Sequence, residues 1–140
     1  MRVELHRINQ KVHFQAHNED GNTIDIDGAP SIGGENQGFR PMQLVLAAIA
    51  SCSLMDLVTI LEKSRQPVED IQVSVEGTRA DKVPAVFTGV SLHYKLIGTL
   101  EKEKVERALD LAVNKYCSVG AMIEKTAKIN YTYEILSSNQ

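Results

Sequence analysis

The chain has 140 residues, 43% of them hydrophobic and 24% charged, with 15 basic and 18 acidic side chains for a net charge of −3. That composition is globular rather than disordered, and the length fits a single domain, 1–140, that buries about two-thirds of its unfolded surface. The mild acidity and the absence of Trp argue against a nucleic-acid partner, which would need a basic field and stacking aromatics.

The first quarter alternates in steps of two. Val3 and Leu5, then Val12, Phe14 and Ala16, then Ile24 and Ile26 are each separated by polar residues, so three strands with one wet and one buried face are expected. Asp20-Gly21 marks the hairpin between the last two. Gly28 to Arg40 is a Gly-rich polar loop, either a linker or a flexible loop over a pocket; no Gly-Lys-Ser/Thr follows Gly33-Gly34 to make it a phosphate loop.

Pro41 suits the first turn of a helix, and the segment from Met42 to Lys63 has neither Gly nor Pro and is apolar nearly all round as far as Leu61. Such a helix is buried on most sides, more than so small a domain covers alone, so a second subunit is expected. Its longest unbroken apolar run, Leu44 to Ala50, is far short of the about 20 residues of a membrane span. With no signal-like N-terminus, a cytoplasmic protein without a membrane partner is expected.

Arg65-Gln66-Pro67 ends the helix. Strands follow at Ile71–Val75 and Val90–Leu96, joined by a polar connection from Gly77 to Pro84. A second helix runs from about Leu100 to Tyr116, with Thr99 as N-cap and Val105, Ala108, Leu109, Ala112, Val113 and Tyr116 as its apolar stripe. Ser118 caps a short third helix through Lys125, and Ile129 to Ile135 is a closing strand. The order βββ-α-ββ-αα-β, mostly antiparallel, is an α+β fold.

Two cysteines are too few for a disulfide scaffold. Cys52 lies in mid-helix among small neighbours, with Asp56 one turn on along the same face. A free cysteine there is either a small core hydrophobe or a reactive thiol. A buried Asp56 calls for a cation or donor nearby. Cys117 sits where two helices meet, where a helix N-terminus lowers a thiol's pKa. Both cysteines lie on inward-facing positions, and two such thiols meet only if their Cα atoms come within about 4.4–6.8 Å. His13 and His17 would stand about 13 Å apart along a strand, too far for one metal ion, so no metal site is expected.

Gly38-Phe39-Arg40-Pro41-Met42-Gln43-Leu44, followed by Ala50-Ser51-Cys52-Ser53-Leu54-Met55-Asp56, resembles the central helix of the OsmC/Ohr superfamily, and Lys115-Tyr116-Cys117-Ser118-Val119 is similar to its second-cysteine motif. The resemblance implies an intertwined homodimer with antiparallel sheets wrapped around paired central helices. It implies a thiol peroxidase site that reduces organic hydroperoxides, with Cys52 peroxidatic, Cys117 resolving, an external dithiol as reductant, and no metal or bound cofactor. An apolar pocket would be lined by Leu54, Met55 and Asp56. The family's Asn-Pro-Glu at the helix start reads Arg40-Pro41-Met42-Gln43 here, and no arginine lies between Lys11 and Gly28. A mid-helix thiolate gains little from the helix dipole and needs a cation, for which Arg40 is the candidate, ahead of Arg65 and Arg79. The alternative is a non-catalytic protein on the same fold that binds a small apolar ligand.

Overall fold

A computed structural model describes residues 1–138. The described residues gather into two compact units, Met1–Val45 and the stretch from Leu46 onward.

In the first unit, β1 (Val3–Arg7), β2 (Phe14–Asn18) and β3 (Thr23–Ile26) form an antiparallel meander in that order. Leu5 and Ile24 both pair with Ala16, so the apolar residues of all three strands share one face. The hairpin forms as expected. Asn18 Oδ1 accepts the Asp20 and Asn22 N–H groups, and Gly21 takes a φ of 84°. Two expectations are corrected. Val12 and His13 precede β2 rather than joining it. The apolar face is not buried either: Val3, Leu5 and Ile24 are 57%, 55% and 49% exposed, and only Ala16 is covered. Alternation identifies the face but not what covers it.

The loop after β3 closes on itself. Phe39 N–H donates to the Asp25 carbonyl and Asp27 N–H to the Phe39 carbonyl, both at 3.0 Å. Gly38 permits this approach, since a Cβ there would lie 2.3 Å from the Asp25 oxygen. The chain then enters α1 (Pro41–Lys63) with Pro41 at the first turn.

In the second unit, β4 (Val68–Arg79) pairs antiparallel with β5 (Phe87–Gly98), and β5 pairs parallel with β6 (Lys128–Leu136). The parallel pair departs from the expected antiparallel pattern. The chain leaves β5 through two helices before returning, and a crossover of that length delivers a strand running the same way. The inward residues Leu92, Tyr94 and Leu96 of β5 cluster with Leu57 and Leu61 of α1. Val105, Ala108 and Leu109 of α2 (Lys102–Leu111) complete that core.

α1 is buried along one stripe, Ile49, Ala50, Ser53, Leu57 and Leu61, rather than on most sides. Met55 and Val58 are 71% and 46% exposed. By length and composition the helix would pass for a membrane span, but burial at every fourth residue is the signature of a helix lying on a core.

α2 starts two residues later than expected, and Thr99 does not cap it. Glu101 precedes it instead. Its N–H donates to Gln66 Oε1 at 2.7 Å and its carboxylate accepts from Gln66 Nε2 and Lys104 Nζ. The expected continuous helix to Tyr116 also breaks up: a π turn spans Ala112–Tyr116, and α3 (Ser118–Ile123) begins after Cys117.

Leu109 is fully buried at the centre of the second unit's core. Leu109→Ala should lower the unfolding free energy in urea by about 3 kcal/mol, the usual cost of such a cavity. A loss under about 1 kcal/mol would show that α2 is not packed there.

Candidate thiol site

Cys117 is held by backbone on two sides. It adopts an extended conformation, φ −71° and ψ 104°, and is itself the N-cap of α3, where Ser118 was expected. Its Sγ accepts the Gly120 N–H at 3.2 Å, and its S–H points at the Ile49 carbonyl of α1, 3.9 Å away. Gly120 leaves room for the sulfur, since a Cβ there would sit 3.3 Å from Sγ. The π turn just before Cys117 is a local irregularity of a type often found at functional sites.

Cys52 and the charge of Asp56 both act on this thiol, and Ile49, whose carbonyl it meets, lies one turn before Cys52 on α1. Both follow from helical spacing: Ile49, Cys52 and Asp56 recur every three or four residues and share one face of α1. Cys52 is half-buried and Cys117 only 4% exposed, and neither is in a disulfide. Burial, the largest influence, pushes the Cys117 thiol up to about 11; Cys52 and Asp56 add to the rise, and the Gly120 N–H opposes it.

The segment bearing Cys52 is fixed to the sheet by a pair that the sequence reading missed. Ser53 Oγ donates to the Ala50 carbonyl at 2.9 Å and meets the Tyr94 hydroxyl at 2.5 Å, with both side chains at most 1% exposed. Because the serine hydrogen is committed to Ala50, Tyr94 is the donor between them. Burial above all pushes the Tyr94 hydroxyl up to about 12, so it remains a donor across the physiological range. A serine on the buried stripe of an apolar helix was the available signal, since it must find a partner.

Of the three expected pocket residues, Asp56 acts on the Cys117 thiol. Leu54 packs against the core and Met55 is 71% exposed.

Arg40 occupies the N-cap of α1: its carbonyl accepts from Leu44 N, and its own N–H donates back to Gln43 Oε1 at 3.0 Å, one half of a capping box. Its guanidinium donates to Asn36 Oδ1 at 3.1 Å. The loop carrying it is hydrogen-bonded around Asp27, which is 1% exposed. Asp27 Oδ1 accepts the Gly28 N–H at 2.8 Å, and Oδ2 accepts those of Glu35 and Gln37 at 3.0 and 3.1 Å. Burial alone would raise the Asp27 carboxyl, but these three donors and nearby His13 outweigh it and hold its pKa below the usual aspartate value.

A family model for OsmC-like proteins matches residues 34–132. Protein YhfA of Escherichia coli K12 is 37% identical over 129 residues, covering 89% of this chain and 91% of its own. The crystal structure of a hypothetical protein from Aquifex aeolicus VF5 is 32% identical, covers 98% of this chain and 96% of that one, and superposes with a TM-score of 0.85. An organic hydroperoxide resistance protein OsmC from Legionella pneumophila shares the fold at 19% identity and a TM-score of 0.73, covering 95% of each chain. The family model and the closeness to YhfA carry the assignment, and this chain belongs to the OsmC-like family.

Proposed function

We propose that this protein is a thiol-dependent peroxidase that reduces organic hydroperoxides. The observation that carries the reading is that buried Cys117 seats its sulfur on the Ile49 carbonyl of α1, one helical turn before half-buried Cys52. Membership of a family that includes organic hydroperoxide resistance proteins supports it.

The Cys52 thiolate attacks one peroxide oxygen. The O–O bond breaks, the alkoxide leaves with a proton as alcohol, and Cys52 becomes sulfenic acid. Cys117 then attacks that sulfur as a thiolate. The S–O bond breaks, water leaves, and a disulfide forms. An external dithiol restores both thiols by exchange. The order of events follows from the setting. A Cys117 thiol held near 11 is inert at rest. Oxidation of Cys52 replaces the neighbouring thiol that helped to hold it there. The cycle needs a reducing compartment, for which the cytoplasm is the proposal.

Arg40 is proposed as the cation that activates Cys52. It lies twelve residues before Cys52, and a helix rises about 18 Å over that length, more than an arginine side chain spans. The arginine is therefore assigned to Cys52 of the opposite subunit in a homodimer. The uncovered apolar residues Met55 and Val58 on α1, and Val3 and Leu5 on β1, support that dimer.

Three outcomes are expected. First, with dithiothreitol the protein should consume cumene hydroperoxide; Cys52→Ser should abolish this, and Cys117→Ser should leave a dimedone-reactive sulfenic acid on Cys52. An active Cys52→Ser variant would reject the reading. Second, iodoacetamide at pH 7.5 should modify Cys52 alone in the folded protein. Because a raised thiol pKa means that thiolate appears only as pH climbs through it, Cys117 should react appreciably only toward pH 11. Equal rates at the two cysteines at neutral pH would contradict the burial of Cys117. Third, sedimentation at micromolar concentration should give a dimer, and a stable 15.5 kDa monomer would remove the shared site.

A further inference from the structure

We infer that Asp27 is a positioning residue for Arg40, acting through Asn36. The inference rests on the assignment of Arg40 as the activating cation and adds the machinery that holds it.

One carboxylate oxygen, Asp27 Oδ2, accepts the N–H groups of both Glu35 and Gln37, the two residues that flank Asn36. This double bond to one atom pinches the chain around Asn36. The residue is forced into the left-handed region, with a φ of 55°, which asparagine tolerates better than most. Its side chain then presents Oδ1 to the Arg40 guanidinium at 3.1 Å. Gln43 fixes the backbone of Arg40 at the same time. Other contacts stiffen the frame without touching Arg40. Lys11 Nζ pairs with Glu35 at 2.9 Å, Gln37 Nε2 donates to the Glu35 carbonyl, and His13 Nε2 meets Asp25 Oδ1 at 2.9 Å on the strand leading to Asp27.

Burying a carboxylate to hold a surface loop is costly unless the charge is fully bonded. Here all three of its backbone donors come from the loop that ends at Arg40. A loop serving only as a connection does not require a buried charge at its centre. Holding an arginine in one orientation does, because an exposed guanidinium otherwise samples many rotamers and delivers its charge to a given point only part of the time.

The test reads Arg40 in two independent ways, in the full-length protein with the substitution in every subunit. The first reading is proton exchange at the 15N-labelled Arg40 guanidinium. The second is the rate at which Cys52 reacts with cumene hydroperoxide. Asn36→Gly keeps the left-handed backbone available and removes the side chain that carries the acceptor oxygen, so it tests the contact without unfolding the loop. Asp27→Asn removes the charge. Both should speed guanidinium exchange and slow Cys52 about tenfold, within the range that small misplacements of an active group produce. Neither should slow the reaction further in an Arg40→Met background, as expected for residues acting through one another. Asn36→Asp, which restores an acceptor, should recover most of the rate.

The inference is overturned if guanidinium exchange is unchanged in folded Asp27→Asn, or if the loss of rate is as large in the Arg40→Met background. It is also overturned if Arg40→Met alone leaves the rate of Cys52 unchanged. In that last case the peroxidase reading still stands on Cys52→Ser. If instead Cys52 never reacts with the peroxide, the peroxidase reading fails, and guanidinium exchange alone decides whether Asp27 positions Arg40.

Discussion

Cys117 Sγ accepts the Gly120 N–H and has the Ile49 carbonyl as its own acceptor, so a single sulfur atom joins the first turn of α3 to the middle of α1. Much of the second unit is arranged around that junction. The helix that precedes Cys117 must stop, which it does through a π turn, so that the cysteine can take an extended conformation and cap the next helix. Gly120 must lack a side chain for the sulfur to fit. α1 must keep one rotation on the sheet, which the buried Ser53–Tyr94 hydrogen bond enforces with a direction that apolar packing alone does not supply. With that rotation fixed, the Ile49 carbonyl meets Cys117 while Leu57 and Leu61 enter the core.

The same arrangement gives two residues that are identical in type different surroundings. Depth and neighbours, not sequence, distinguish them. Cys117 is buried, and that burial, with smaller contributions from Cys52 and Asp56, holds it as a thiol far above neutral pH. Cys52 is half-buried beside small residues and is open to a reagent. An attacking thiol that is accessible and a resolving thiol that is silent until needed is the division of labour that a two-step thiol cycle calls for.

Much of this was legible in the sequence because it depends on local pattern. The 3.6-residue stripe of α2, the Pro41 start of α1, the Asp20-Gly21 turn and the order of elements are set by neighbours a few positions apart. Cys52 and Asp56 shared a face by spacing alone. What escaped the reading depends on groups distant in sequence. β6 is parallel because of the path of the whole crossover. Thr99 fails as a cap because Gln66 satisfies Glu101 from 35 residues away. The role of Asp27 depends on three N–H groups that converge only when the loop closes. Ser53 finds its side-chain partner only in Tyr94, which arrives from β5, 41 residues on. The exposure of β1 shows the converse limit, in that a pattern marks an apolar face without naming its cover.

The proposed peroxidase cycle requires Cys52 and Cys117 of one chain to act as a single redox pair. Peptide mapping of non-reduced protein, after one equivalent of cumene hydroperoxide per chain, tests it most directly. The expected product is one cross-linked peptide pair that joins Cys52 to Cys117 within a chain and is lost on reduction. Cys52 recovered as sulfinic acid, or joined to Cys52 of another chain, with Cys117 still a free thiol, would contradict it.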